Sequence, residues 1–77
     1  MPTIHSQNGF RFFFFSNEHD PAHVHVEKGD AAAKFNLIPV ILVKNGGMKP
    51  KELKKAETLI EANQGLFLQK WNYYFGH

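Results

Sequence analysis

Three histidines fall in the stretch His19-Asp20-Pro21-Ala22-His23-Val24-His25, with Glu18, Asp20 and Glu27 close by in sequence. Imidazole is the side chain whose ordinary titration lies near neutrality, and it is also the commonest metal ligand. On an extended segment His23 and His25 project from the same face, roughly 6–7 Å apart at Cα. His19 lies four residues before His23, and a turn through Asp20-Pro21 would fold it back beside the pair. Three imidazoles and a carboxylate are suitable donors for Zn²⁺, Ni²⁺ or Fe²⁺. His19, His23 and His25 are therefore the candidate ligands of a divalent transition metal such as zinc. The nearby carboxylates would accept the ring N–H that does not face the ion.

The same residues also suit metal-free acid–base chemistry. In cleavage of an RNA phosphodiester, one imidazole removes the 2′-hydroxyl proton and another protonates the leaving oxygen. A cation then stabilises the developing phosphorane charge. On this reading His19, His23 and His25 are catalytic, with Arg11 as the cation and Lys34 as its alternative, in a metal-independent ribonuclease. A third reading is non-catalytic: the histidines cover an exposed sheet face and hydrogen-bond to neighbouring carboxylates. The residues alone leave all three open.

The elements that must position these groups are legible in outline. Asn8-Gly9 reads as a tight hairpin turn, because both residues tolerate positive φ. It joins a first strand over about 2–6 to a second over about 10–16. That second strand is apolar on both faces: Phe10, Phe12 and Phe14 alternate with Arg11, Phe13 and Phe15. Such a strand needs cover on both sides, from its own twisted sheet or from a partner chain. Phe13 and Phe15 are thus candidate partner-binding residues. Asp20-Pro21 favours a turn. Strands are expected over 22–28, 31–37 and 40–44, the last an edge strand because Pro39 cannot donate to a ladder. Pro50 suits a first helical turn, and Leu53, Ala56, Leu59 and Ile60 recur at helical spacing. Gly65 is expected to stop that helix or to mark the break before the next. A second amphipathic helix follows over 66–75, with Trp71 as a core anchor. The expected fold is α+β: a small antiparallel β-meander of four to five strands, followed by two C-terminal helices packed on one face.

Length and composition bound the function. The chain has 77 residues and no cysteine. It fits one domain spanning 1–77, and a chain this short has a marginal core. Disulfides and thiolate zinc sites are excluded. Eight Phe, one Trp and two Tyr supply the compensating apolar area. The opening residues show no basic region followed by an apolar run, so no secretory leader is expected. No apolar run approaches the roughly 20 residues that span a bilayer. A cytoplasmic location and no membrane partner are the expectation. The formal net charge is +2, but it is uneven, with six lysines between Lys44 and Lys70. Lys51, Lys54 and Lys55 form a candidate contact patch for a protein partner or for RNA, although charge runs usually solvate a helix face. The chain has no recognisable helix-turn-helix or RNA-binding signature.

With these residues in hand, the chain resembles the bacterial family catalogued as domain of unknown function 4160. The resemblance runs nearly end to end. It rests on Met1-Pro2-Thr3-Ile4, Gly9-Phe10-Arg11-Phe12, Ser16-Asn17-Glu18-His19-Asp20-Pro21-Ala22-His23-Val24-His25-Val26, Ala33-Lys34-Phe35, Asn45-Gly46, Glu52-Leu53 and Trp71. Ala22 stands where family members commonly carry a second proline. The resemblance implies a component of a toxin–antitoxin-type module, with a protein partner or a homo-oligomeric state, and no established reaction. It marks Glu18, His19, His23 and His25 for the first substitutions.

Overall fold

Five strands lead the chain: β1 (Thr3–Gln7), β2 (Phe10–Phe13), β3 (His23–Lys28), β4 (Ala31–Leu37) and β5 (Val40–Gly46). Two helices follow, α1 (Pro50–Ala62) and α2 (Gln64–Phe75). The structure is a computed structural model that describes residues 3–76. The strands form one antiparallel sheet in chain order. This is the α+β arrangement that the sequence pattern predicts. Pro2, expected to open the first strand, and His77 lie outside the described residues.

Alternation gives the sheet two unlike faces. On one, Phe10, Phe12, Val24, Val26, Phe35 and Leu37 are almost fully buried and pack with Ala56, Ile60, Phe67 and Trp71 of the helices. Phe14, just past β2, joins them edge-on to Trp71. Aromatic rings in offset or edge contact add to the free energy of their burial. The other face carries Arg11, Phe13, His23, His25, Glu27 and Lys34, by the register of β2, β3 and β4.

Turn chemistry follows the residue types. Asn8 and Gly9 have φ of 55° and 83° and close the first hairpin. The Asn45 side chain clamps Met48 through both its backbone N–H and its carbonyl, so the chain turns into α1. Pro50 opens that helix, and Glu52 accepts a 3.0 Å hydrogen bond from the Lys49 N–H.

Several boundaries differ from expectation. β2 ends at Phe13, not Ser16, because its pairing with β3 stops at Phe13 opposite His25. Beyond it the Phe15 N–H donates to the Glu18 carboxylate at 3.1 Å and the chain turns away. β5 reaches Gly46 through a bulge in its pairing with β4 between Lys34 and Phe35. The break between the helices sits at Asn63, not at Gly65. Asn63 donates its side-chain amide to the Leu59 carbonyl and its own carbonyl accepts from Phe67. One residue therefore ends α1 and starts α2, and Gly65 falls inside α2.

Candidate metal centre

β3 places His23 and His25 on the open face, and the loop after β2 swings Glu18 over them. The two oxygens of Glu18 divide between the rings. Oε1 lies 2.9 Å from His23 Nε2, and Oε2 lies 2.8 Å from His25 Nε2. One donor atom from each of Glu18, His23 and His25 lies within 4.8 Å of the other two. The group is enclosed: His23, at the first position of β3, is buried and reaches Trp71 of the helix-covered side, with ring centroids 5.0 Å apart. His25 lies between Phe13 and Phe15, at 5.5 and 4.1 Å. Two imidazoles and a carboxylate form a donor set that suits zinc and its neighbours.

The orientation of the His23 ring is set by its own backbone. Its Nδ1 lies 2.8 Å from the Pro21 carbonyl oxygen. A carbonyl can only accept, so Nδ1 carries a proton, and Nε2 is the nitrogen turned toward Glu18. That buried nitrogen has no aligned hydrogen bond, although Glu18 Oε1 is close. A ring nitrogen and a carboxylate oxygen this close need a proton or a metal ion between them. A ring held through Nδ1–H to a backbone carbonyl, with Nε2 free to ligate, is the usual pose of a metal-binding histidine.

The charges agree with this arrangement. Burial works against the Glu18 carboxylate. The Phe15 N–H and the two imidazoles outweigh it and hold the carboxyl below its ordinary range. His25 is shifted down, chiefly by burial, despite the pull of Glu18. A ring kept neutral is the form that binds a metal.

The predicted site residues do not all join the group. His19 is exposed in the loop and contributes no atom to the cluster; Glu18, its neighbour, takes that place. Backbone hydrogen bonding to Phe15 turns residue 18, not 19, toward the sheet. His19 does line a polar cavity of about 370 Å³ with Glu18, His23, Lys34 and Asn36. Arg11 shares the open face but is engaged elsewhere. Its Nε donates to Glu27 at 2.7 Å, its Nη1 donates to Thr3 at 2.8 Å, and its guanidinium covers the Phe13 ring at 4.2 Å. That contact and the stack on His25 bury Phe13 within its own chain, while Phe15 stays 42% exposed. Lys51, Lys54 and Lys55 are exposed on α1. Asn36 was not singled out by sequence; it pairs across the sheet with His23, a relation that only strand register supplies. No helix among the described residues is long and apolar enough to cross a membrane.

No curated protein and no solved structure matches the chain. The family model described as Domain of unknown function (DUF4160) matches residues 9–72, which include every member of the Glu18–His23–His25 group. The chain belongs to that family.

Proposed function

We propose that this protein is a divalent-metal-binding module whose centre is Glu18, His23 and His25. The observation that carries the reading is the buried Nε2 of His23, which makes no aligned hydrogen bond, beside a carboxylate shared with His25. Three protein donors leave positions on a zinc-like ion for water or a ligand. The cavity lined by Glu18, His23, Lys34 and Asn36 lies beside them. Metal-free acid–base catalysis by the histidines draws less support. Both Nε2 atoms turn toward one carboxylate instead of toward separate substrate oxygens.

The test is titration of the tag-free protein with Zn²⁺ or Co²⁺, read by calorimetry and by the visible spectrum of cobalt. One equivalent of tetrahedral or five-coordinate cobalt is expected, with no comparable binding of Mg²⁺. Glu18→Gln and His25→Ala should each weaken binding about a hundredfold or more, beyond the 10–100-fold cost of losing a supporting partner. His19→Ala should have little effect. Equal affinity in all four proteins would overturn the reading.

The wider setting of this proposal is the toxin–antitoxin-type module that the family resemblance implies, acting on a protein partner or RNA in the cytoplasm. A protein partner or second copy would meet the uncovered edge of β5, the exposed Phe15 ring or the lysines of α1. Growth arrest on expression, relieved by the neighbouring gene and abolished by Glu18→Gln, is the expected result. Unimpeded growth would remove this setting without touching the metal centre.

A further inference from the structure

A single line of side chains crosses the open face of the sheet. Cross-strand partners run Phe13 to His25, His25 to Lys34, and Lys34 to Lys44. Like charges directly opposite each other destabilise a sheet. Neither Lys34 nor Lys44 has an ion-pair partner among the described residues. Folding thus gains nothing evident from this pair of ammonium groups, and an anion between them would.

Two cavities meet on that line. The polar one has been described. The other, about 350 Å³, has Phe13 and Phe15 as aromatic walls, Ala32 and Gly46 as small residues that leave room, and Lys34 and Lys44 at its margin. Lys34 lines both cavities. An aromatic, apolar slot next to unneutralised lysines suits a ligand with a flat apolar body and a strongly anionic end. A phosphate carries about two negative charges near neutrality. It matches two lysines and a neighbouring metal ion better than a singly charged carboxylate does.

We infer that the two cavities form one nucleotide-binding site. The base lies on the exposed ring of Phe15, with the buried Phe13 ring only closing the slot behind it, and the phosphate lies between Lys34 and Lys44, beside the Glu18–His23–His25 centre. The third positive charge at the phosphate rests on the metal reading; the lysines and the aromatic slot do not. A free nucleotide offers the doubly charged monoester; a nucleotide unit of single-stranded RNA offers the same base and phosphate oxygens with one charge per phosphodiester, its bases stacking on aromatic side chains.

The experiment is a calorimetric and NMR titration of the full chain, with and without one equivalent of Zn²⁺. The ligands are AMP, adenosine, inorganic phosphate and a short oligoadenylate. AMP should bind at least about tenfold more tightly than adenosine or phosphate, because charge-assisted hydrogen bonds and stacking each contribute. Phe15→Leu keeps apolar bulk but removes the ring face, and should weaken AMP about 5- to 100-fold. Lys34→Gln should weaken AMP about tenfold or more, and Lys34→Arg should restore most of it. Thermal melts of the variants confirm that each is folded. Oligoadenylate binding tighter than AMP assigns the site to RNA; equal or weaker binding assigns it to the free nucleotide. AMP binding no tighter than phosphate, or unchanged by Phe15→Leu and Lys34→Gln in folded protein, overturns the inference. Zinc binding without AMP binding removes this site alone. AMP binding without zinc binding removes the metal reading and leaves the nucleotide site.

Discussion

The two faces of this sheet are built by the same strands and the same alternation, yet they differ in kind. The helix-covered face presents Phe10, Phe12, Val24, Val26 and Phe35, none more than 1% exposed. The open face presents Arg11, His23, His25, Glu27 and Lys34, each titratable or charged. In β3 the two characters interleave residue by residue: His23, Val24, His25, Val26. A strand that supplies core on one side can therefore hold chemistry on the other. The rigid apolar face fixes where the imidazoles project. The contrast also explains why a carboxylate is needed. Buried polar groups cost free energy unless they are partnered; Glu18 hydrogen-bonds His25 and stands 2.9 Å from His23 Nε2, which a bound ion would satisfy.

The sharpest way to break the comparison is to damage each face in turn. Phe12 is fully buried, 5.2 Å from Phe67 and 6.4 Å from Phe10 by ring centroids. Phe12→Ala should cost about 3–5 kcal/mol, a large share of the roughly 5–15 kcal/mol that holds a native domain together. Urea unfolding measures it. A loss below about 1 kcal/mol, the size of an average substitution, would mean that this face is not the core.

The open face should respond to metal instead. Zn²⁺ at about a hundredfold excess over its Kd should add about 2.7 kcal/mol of stability by mass action. Glu18→Gln should abolish that gain while leaving the unliganded fold intact. If zinc stabilises the wild type and Glu18→Gln equally, the ion binds elsewhere.

What was legible in the sequence divides along the same line. Periodicity located the strands, because a one-residue slip would expose the Phe10–Phe12–Phe14 row. It also put His23 and His25 on a common face. The Asn8-Gly9 turn was legible because its backbone needs positive φ. The third member of the cluster was not. Residues 14–22 follow no period, so nothing in spacing decides between Glu18 and His19. The choice is made by a local hydrogen bond from the Phe15 N–H to a side chain three residues on. Such a contact is one of several that an acidic residue in a loop can make. The bulge at Lys34/Phe35, which sets how β5 and Lys44 sit against β4, likewise leaves no residue signature. The helix break at Asn63 was missed for a similar reason. Glycine is the expected stop, but an asparagine amide that satisfies the Leu59 carbonyl serves as well.

Acid should separate the faces more gently. The His25 ring meets Glu18 from the loop, His23 from its own strand and Lys34 from β4. Its folded value lies below the usual 6.5, chiefly through burial. The unfolded chain then binds more protons at this site, so stability rises with pH. The contribution is complete above the usual value and is lost as pH falls from there through the folded value. Glu18, held below its usual 4.5, acts in the same direction at lower pH. Metal-free protein should therefore lose stability on acidification from near neutrality, in two successive steps. Urea midpoints measured against pH would show it. A midpoint that stays level or rises on acidification would contradict the burial assigned to His25.

The smallest effect sharpens the boundary between the two faces at adjacent residues. Phe14 is fully buried against Trp71, Tyr74 and Phe75, while Phe15 is 42% exposed over His25. Full burial of a phenylalanine is worth about 1.5–3 kcal/mol, and Phe15 realises only part of it. Phe15→Ala should cost about 1 kcal/mol, against about 3–5 for Phe14→Ala. Equal costs would place the Phe15 ring in the core and close the slot it is assigned to wall. A cost near 1 kcal/mol leaves an aromatic face held in place mainly by an imidazole, open to whatever ring the site receives.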